Sequence, residues 1–443
     1  MSTDPKENLL IEDFIKKNKY SKLTDLVKVS DGNHMSISEK FIDNGVPYYR
    51  GQDIHSFFIE GANPNCIDTD TFNLPVMKRS HLKKGDVLLS IVGTIGKLGL
   101  VTTDNKATCS CKLAILRPSK IIAEFLSVFL ASKYGQNQIQ KFKRGAVQMG
   151  LILEDFDQLL IPYFDDTFQS QIETLVKNAH SKLEQSRSSY TQAETLLLET
   201  LGLADFSPSI EKVNIKSFKD SFAATGRLDA EYYQPKFDQL EAKLTETHTL
   251  HLLSDFLTIN QRGTQPDYAE EEGLPVINSK HVREGEVILS DNRLAKIPDK
   301  ESPLLIKKGD VLINGTGVGT IGRAAPYLHD QQAIPDNHVT VLRTDKLNPI
   351  YLAVYLNSIA GKYQVDKYFK GSSGQIELYP TDIDKFYVPF VNESIQTQIA
   401  ALVQESFTLK AESEHLLDAA KRAVEIAIET DEQAAMAYLE SQT

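Results

Sequence analysis

The chain has 443 residues, a mass of 49.5 kDa and a formal net charge of −12, with 41% hydrophobic and 24% charged residues. That length exceeds one ordinary hydrophobic core and predicts two or more domains, while the composition excludes a disordered or fibrous chain. The acid excess excludes a uniformly basic, nucleic-acid-coating surface.

Charge is unevenly placed. Residues 405–443 hold nine acids against three bases, about half of the deficit, whereas bases gather in "QIQKFKRG" and "VDKYFKGSSG". The acidic total therefore leaves room for a cationic face elsewhere.

From the start, "MSTDPKENLLIEDF" is polar and acidic and does not read as a signal peptide. The apolar stretch "IIAEFLSVFLA" is short and carries Glu124, so no bilayer span is expected and the cytoplasm is the expected location. Cys66, Cys109 and Cys111 make no zinc spacing and read as small thiols in a reducing compartment. The ten histidines are scattered and no acid or cysteine set completes a metal site. A G-x-S-x-G elbow is absent, as is an Asn/Asp-Pro-Pro-aromatic tetrad for amino-group methylation, so no catalytic centre is visible.

The chain repeats itself. "LKKGDVLLS" from Leu82 returns as "IKKGDVLIN" from Ile306, a shift of 224 residues. "GTIGK" from Gly93 returns as "GTIGR" from Gly319 at a shift of 226, after a two-residue insertion, and "ILRP" returns as "VLRT". "FKRGAVQMGLILEDFDQLLIP" runs beside "YFKGSSGQIELYPTDIDKFYVP", and "FQSQIETLV" beside "IQTQIAALV". Upstream, "DNGVPYYRGQDI" answers "EEGLPVINSKHV". Each copy covers about 200 residues, the size of a domain plus an appendage.

Within a copy, short strands such as "DVLLSIVG" and "KLGLVT" precede a helix such as "EFLSVFLASKYGQNQIQ". A second helical part follows, of about 35 residues. Its apolar seam in the first copy is Ile172, Leu175, Ala179, Leu183, Ser186, Tyr190, Ala193 and Leu197. In the second it is Ile399, Leu402, Ser406, Lys410, Ser413, Leu417, Ala420 and Val424. The alternating three- and four-residue steps are a heptad pattern diluted by polar residues. The expected fold is α+β: two pseudo-twofold-related mixed α/β domains joined by two long helices forming an antiparallel coiled coil. A helix of that length spans roughly 50 Å, enough to hold two heads about one to one and a half DNA turns apart. A hairpin that merely glues two domains fits the periodicity equally well.

"DVLINGTGVGTIGRAAPY" contains a literal G-x-G-x-x-G, Gly317, Gly319 and Gly322, which opens a reading as a nucleotide-binding enzyme. The sister copy is an internal control. Gly319 and Gly322 return as Gly93 and Gly96, but at the same shift Gly317 stands opposite Ile91. "RAAPYL" and "KLGLVT" read as strands, where a dinucleotide cradle needs a helix N-terminus. A strand–tight turn–strand is the better expectation.

Together, these stretches resemble target-recognition domains in specificity subunits of type I restriction-modification systems. "LKKGDVLLSIVGTIGKLGLV" and "IKKGDVLINGTGVGTIGRAAPY" are similar to the family's strand–turn–strand signature, and "RLDAEYYQPKF" to the segment that opens such a domain. "FKGSSGQIELYPTDIDKFYVPF" followed by "ESIQTQIAALV" resembles the domain's ending and the start of its helix. The first copy departs from the pattern, with "ENLLIEDFIKKNKY" in place of "RLDAEYYQPKF".

The resemblance implies recognition domains at 1–165 and 205–391, and spacer helices at 166–204 and at 392–443 with its acidic tail. It implies a non-catalytic subunit that reads a bipartite double-stranded DNA target and docks two methyltransferase subunits, which translocase-nuclease subunits could join. No cofactor is expected in this chain; S-adenosylmethionine and ATP would belong to the partners. A protein-binding scaffold in a phage-defence complex is a further alternative.

DNA contacts call for Lys, Arg, Asn, Gln and small hydroxyls on loops. The candidates are Arg50, Gln52, Lys97, Lys141, Lys143, Arg144 and Gln148 in the first copy. In the second they are Asn278, Lys280, Arg323, Lys370, Ser372, Ser373 and Gln375. The loops "KRGAVQ" and "KGSSGQ" are the strongest units, because glycine lets the backbone approach phosphate closely.

Overall fold

The computed structural model describes every residue except 1–8, 10, 14, 17, 18, 62, 146–148, 212, 298–303, 373 and 443. The chain folds as two compact units, residues 1–184 with 409–443, and residues 185–408.

In the first unit, a four-stranded antiparallel sheet runs Val27–Asp31, Leu113–Pro118, Val87–Ser90, Leu98–Leu100 across its width. The strand Val87–Ser90 is buried at every position. The reason is that both faces of the sheet are covered, so the strand needs a continuous apolar run. Val87 and Leu89 face the main core with the helix Ala123–Ala131, while Leu88 and Ile115 face a smaller core around Tyr49 and Ile54. A second sheet joins Phe41–Ile42, Asn65–Ile67, Val46–Tyr49 and Thr108–Cys109, the last pair in parallel.

The second unit repeats this plan. Leu257–Arg262, Val339–Thr344, Val311–Asn314 and Ala324–Pro326 form the antiparallel sheet. Val311 and Ile313 face one core and Leu312 another. Tyr268–Ala269, Leu294–Ala295, Leu274–Ile277 and Ile334–Pro335 form the smaller sheet, again with a final parallel pair.

The single helix expected over "EFLSVFLASKYGQNQIQ" is two, Ala123–Ala131 and Lys133–Lys141. Ser132 breaks it: its backbone is extended and its hydroxyl accepts from the Gly135 N–H at 3.3 Å, capping the second helix. The second copy also breaks, at Ser358, whose backbone is extended but whose side chain does not cap, between Pro349–Asn357 and Ile359–Tyr368.

The long helices are Asp166–Thr200 and Glu393–Glu429. Within the first unit the Ser413 hydroxyl donates to the Ala179 carbonyl at 2.7 Å, and Lys182 meets Glu412 at 2.7 Å. Within the second unit, Ser186 and Ser406 hydroxyls lie 3.0 Å apart and Ser189 donates to Glu405 at 3.2 Å. Numbers rise along one helix as they fall along the other, so the segments pair antiparallel in each unit. Ile172, Leu175 and Val424 are buried in the first unit's core, with Leu183 and Leu417 half-buried beside them. Leu197 and Ile399 are buried in the second, with Tyr190 and Leu402 half-buried. The buried serines let the helix backbones approach closely while satisfying their own hydroxyls.

The acidic end of the chain has partners inside the first unit. Glu425 accepts from the Lys133 N–H at 3.0 Å and Glu429 from the Lys133 ammonium at 2.8 Å. The last helix, Glu432–Glu440, buries Ala435 and Leu439 in the same core.

Candidate nucleic-acid interface

The strand–turn–strand reading of the glycine motif agrees with the structure in both copies. Val87–Ser90 pairs with Leu98–Leu100, and Val311–Asn314 with Ala324–Pro326, with no helix after the turn. Gly93 and Gly96 have φ of 80° and 91°, and Gly319 and Gly322 of 79° and 81°, which a side chain disfavours. The Gly96 N–H donates to the Ser90 carbonyl and the Gly322 N–H to the Asn314 carbonyl, closing equivalent turns. Here the residue opposite Ile91 is corrected. Leu151 N–H donates to the Ile91 carbonyl and Leu378 N–H to the Gly315 carbonyl, so Gly315 stands opposite Ile91. Gly317 and Val318 are the inserted pair. Without a following helix N-terminus, the dinucleotide reading is not favoured.

The repeated words also build a buried clamp at the end of each strand opposite its glycine turn. Asp86 of the first "KKGD" is buried and takes a two-pronged contact from Arg117 of "ILRP", at 2.7 and 2.6 Å. Arg117 also donates to the His81 carbonyl at 3.0 Å, and Asp86 accepts from the Lys83 N–H at 2.8 Å. Asp310 and Arg343 repeat the arrangement at 2.6 and 2.8 Å, with Leu305 and Lys307 in the supporting places. Hydrogen bonding to the buried carboxylate raises both guanidinium pKa values. Their signal in the sequence is an acid and a base repeated at matching positions of the two copies.

The basic loops lie against the glycine turns. In the first unit, Arg144 and Gly150 pair antiparallel, and Gly150 also bridges Val92 at the start of the turn. In the second, Lys370–Ser372 and Gln375–Glu377 form a hairpin, and Glu377 bridges Thr316. Two motifs about 50 residues apart in sequence thus become one surface in each copy.

Arg144 and Lys370 root these pairings. Arg144 is ion-paired with the buried Asp155, and Lys370 lies 2.9 Å from the buried Asp382, which Lys385 also meets at 3.2 Å. Both cations keep about half of their side-chain surface exposed. In the second copy Arg262 adds a further cation. It donates to the Asn337 carbonyl at 2.6 Å, lies 3.5 Å from Glu377 and stands 5.7 Å from the Tyr379 ring. A hydrogen bond from Tyr379, and then Arg262, hold the Glu377 carboxyl below its ordinary pKa.

The remaining candidates are distributed as follows. Arg50 is clamped on Asp53 at 2.9 and 3.1 Å, and the turn that they close is tied to the glycine loop by Thr94, which donates to the Gly51 carbonyl at 3.1 Å. Gln52 is exposed on that turn. Lys97 is exposed and lines a cleft of about 430 Å³ with Glu414, Asp418 and Lys421, facing the long helix. Lys141 pairs with Glu12 at 3.3 Å, and Lys143 is half-buried. Asn278 and Lys280 sit on the turn equivalent to Arg50–Asp53, where Asn314 donates to the Ser279 carbonyl at 3.1 Å. Arg323 is half-buried after the glycine turn and Gln375 is exposed on the hairpin. Ser372 lies on the hairpin strand opposite Gln375; Gln148 and Ser373 lie outside the described residues.

Fold and site together define a protein of two duplicated mixed α/β domains, each carrying a glycine turn knitted to a cationic hairpin and each followed by a long helix. The family profile described as "Type I restriction modification DNA specificity domain" matches residues 15–188 and again 251–417, and the chain belongs to this family. It is 30% identical over 87 residues to the type I restriction enzyme EcoBI specificity subunit of Escherichia coli, a match spanning 19% of this chain and 18% of that protein. Among solved structures, it is similar to the type I restriction-modification S subunit of M. genitalium, with 13% identity, 93% of this chain and 95% of that chain covered, and a TM-score of 0.44. The HsdS subunit of Thermoanaerobacter tengcongensis is similar with 16% identity, 93% and 97% covered, and a TM-score of 0.30.

Proposed function

We propose that this chain is the non-catalytic DNA-specificity subunit of a modification or restriction complex. Its recognition domains, 1–165 and 205–391, each read one half of a bipartite target in double-stranded DNA. The long helices that join them set the spacing of what is read and dock two methyltransferase subunits, which translocase-nuclease subunits can join. Methyl transfer from S-adenosylmethionine to adenine, and any use of ATP, belong to those partners in the cytoplasm.

One observation carries the reading: in both copies the glycine turn and the cationic hairpin are bonded into a single surface. The rooted cations Arg144 and Lys370 suit phosphate, while exposed Gln52 and Gln375 suit base edges. Co-expression with the cognate methyltransferase tests it. A stable complex that modifies a split sequence is expected; a complex that binds all DNA sequences equally removes the assignment.

A further inference from the structure

The second copy carries a feature that the first lacks, the inserted pair Gly317–Val318. Val318 is 69% exposed, although it is β-branched and apolar. Glycines on either side, with φ of 93° and 79°, present it at the tip of the turn.

The turn beneath it is tightly tied. The Thr320 hydroxyl donates to the Thr316 carbonyl at 2.9 Å, and the Ile321 N–H to the Gly317 carbonyl at 2.9 Å. The Thr316 hydroxyl lies 2.8 Å from His338 Nδ1, and Leu378 N–H donates to the Gly315 carbonyl at 2.8 Å. The last bond joins the tip's base to the cationic hairpin. Val318 itself belongs to none of the buried hydrophobic clusters. A stiff side chain with few rotamers, held out in water on a braced loop, loses little freedom when it meets a partner.

We propose that Val318 is a specificity-determining residue of the second recognition domain and contacts the C5 methyl of a thymine in the major groove. The inference rests on the DNA-reading function proposed above. Lys370 on the neighbouring hairpin suits phosphate, whereas the isopropyl group of Val318 suits an apolar partner. The thymine methyl is the apolar group that the major groove offers. In the first copy Val92 is half-buried and leads directly into Gly93, so that head has no equivalent finger.

The test uses the complex assembled with its methyltransferase partner and a target site mapped by its modification pattern. Each thymine of the second half-site is replaced in turn by deoxyuridine, which removes only the methyl. For the wild type, one replacement is expected to weaken binding about three- to five-fold, the scale of one buried methyl. Val318→Gly should be insensitive to that replacement and accept other bases there, with the first half-site unchanged. Val318→Thr, which keeps one methyl, should retain most of the sensitivity. A second half-site without thymine, no sensitive position, or equal sensitivity in Val318→Gly would overturn the inference. Absence of any split modification site for the wild type would instead remove the underlying DNA-reading assignment. Because Val318 is exposed, an unchanged melting temperature in Val318→Gly distinguishes lost recognition from lost folding.

Discussion

At the residue scale, the glycines of the repeated turn are not equivalent, and the difference can be measured. A Cβ on Gly319 meets nothing within 4 Å, whereas one on Gly322 would lie 2.7 Å from the Val365 side chain. Positive φ costs an L-residue about 1–2 kcal/mol, and overpacking adds about 1–3. Chemical denaturation should therefore show Gly319→Ala losing about 1 kcal/mol and Gly322→Ala about 3. A phosphate cradle would give the opposite ranking in function, since its exposed glycine would matter most.

His281 gives the second copy an imidazole pH response; Asp53 stands at the equivalent place in the first. Burial, and then the nearby Lys280, lower the His281 pKa below its ordinary value of 6.5. The unfolded chain thus binds a proton more readily than the folded one. Stability from neutral His281 is present above pH 6.5 and falls as pH drops through it. Melting curves at pH 7.5 and 5.5 should show a larger loss for the wild type than for His281→Gln.

Among elements, the two cationic hairpins are rooted with different redundancy. Asp155 is ion-paired with Arg144, whereas Asp382 keeps Lys385 when Lys370 is removed. Leaving a buried carboxylate without its cation costs several kcal/mol, and a partly exposed pair far less. Arg144→Ala should destabilise by about 2–3 kcal/mol and Lys370→Ala by about 1, measured by urea unfolding.

The same elements show how much was legible in the sequence. The duplication, the strand–turn–strand motif and the long helices all follow from local pattern: matched words, turn glycines and heptad spacing. Bonds between distant words do not. Nothing local in "KKGD" says that its Asp meets an Arg 31 residues away, or that the basic loop folds back on the glycine turn. Arg50 and Arg144 read as free cations because composition reports charge but not the buried acid each one faces. The break at Ser132 was missed because a serine in an apolar run resembles an ordinary helical position until its cap geometry is seen.

For the molecule as a whole, the net charge of −12 is reconciled by where charges are used. Acids near the end of the chain bind Lys133 and pack inside the first unit, while cations gather at the hairpins. DNA affinity of the assembled complex should therefore fall steeply with salt, linearly in log–log form, despite the acidic total.

The central claim is that each domain reads its own half of a split target. Its most direct measurement is the modification map after the first recognition domain alone is exchanged for that of another family member. The account predicts that one half of the modified sequence changes while the other half is kept. A map in which both halves stay unchanged, with the complex intact, would contradict it.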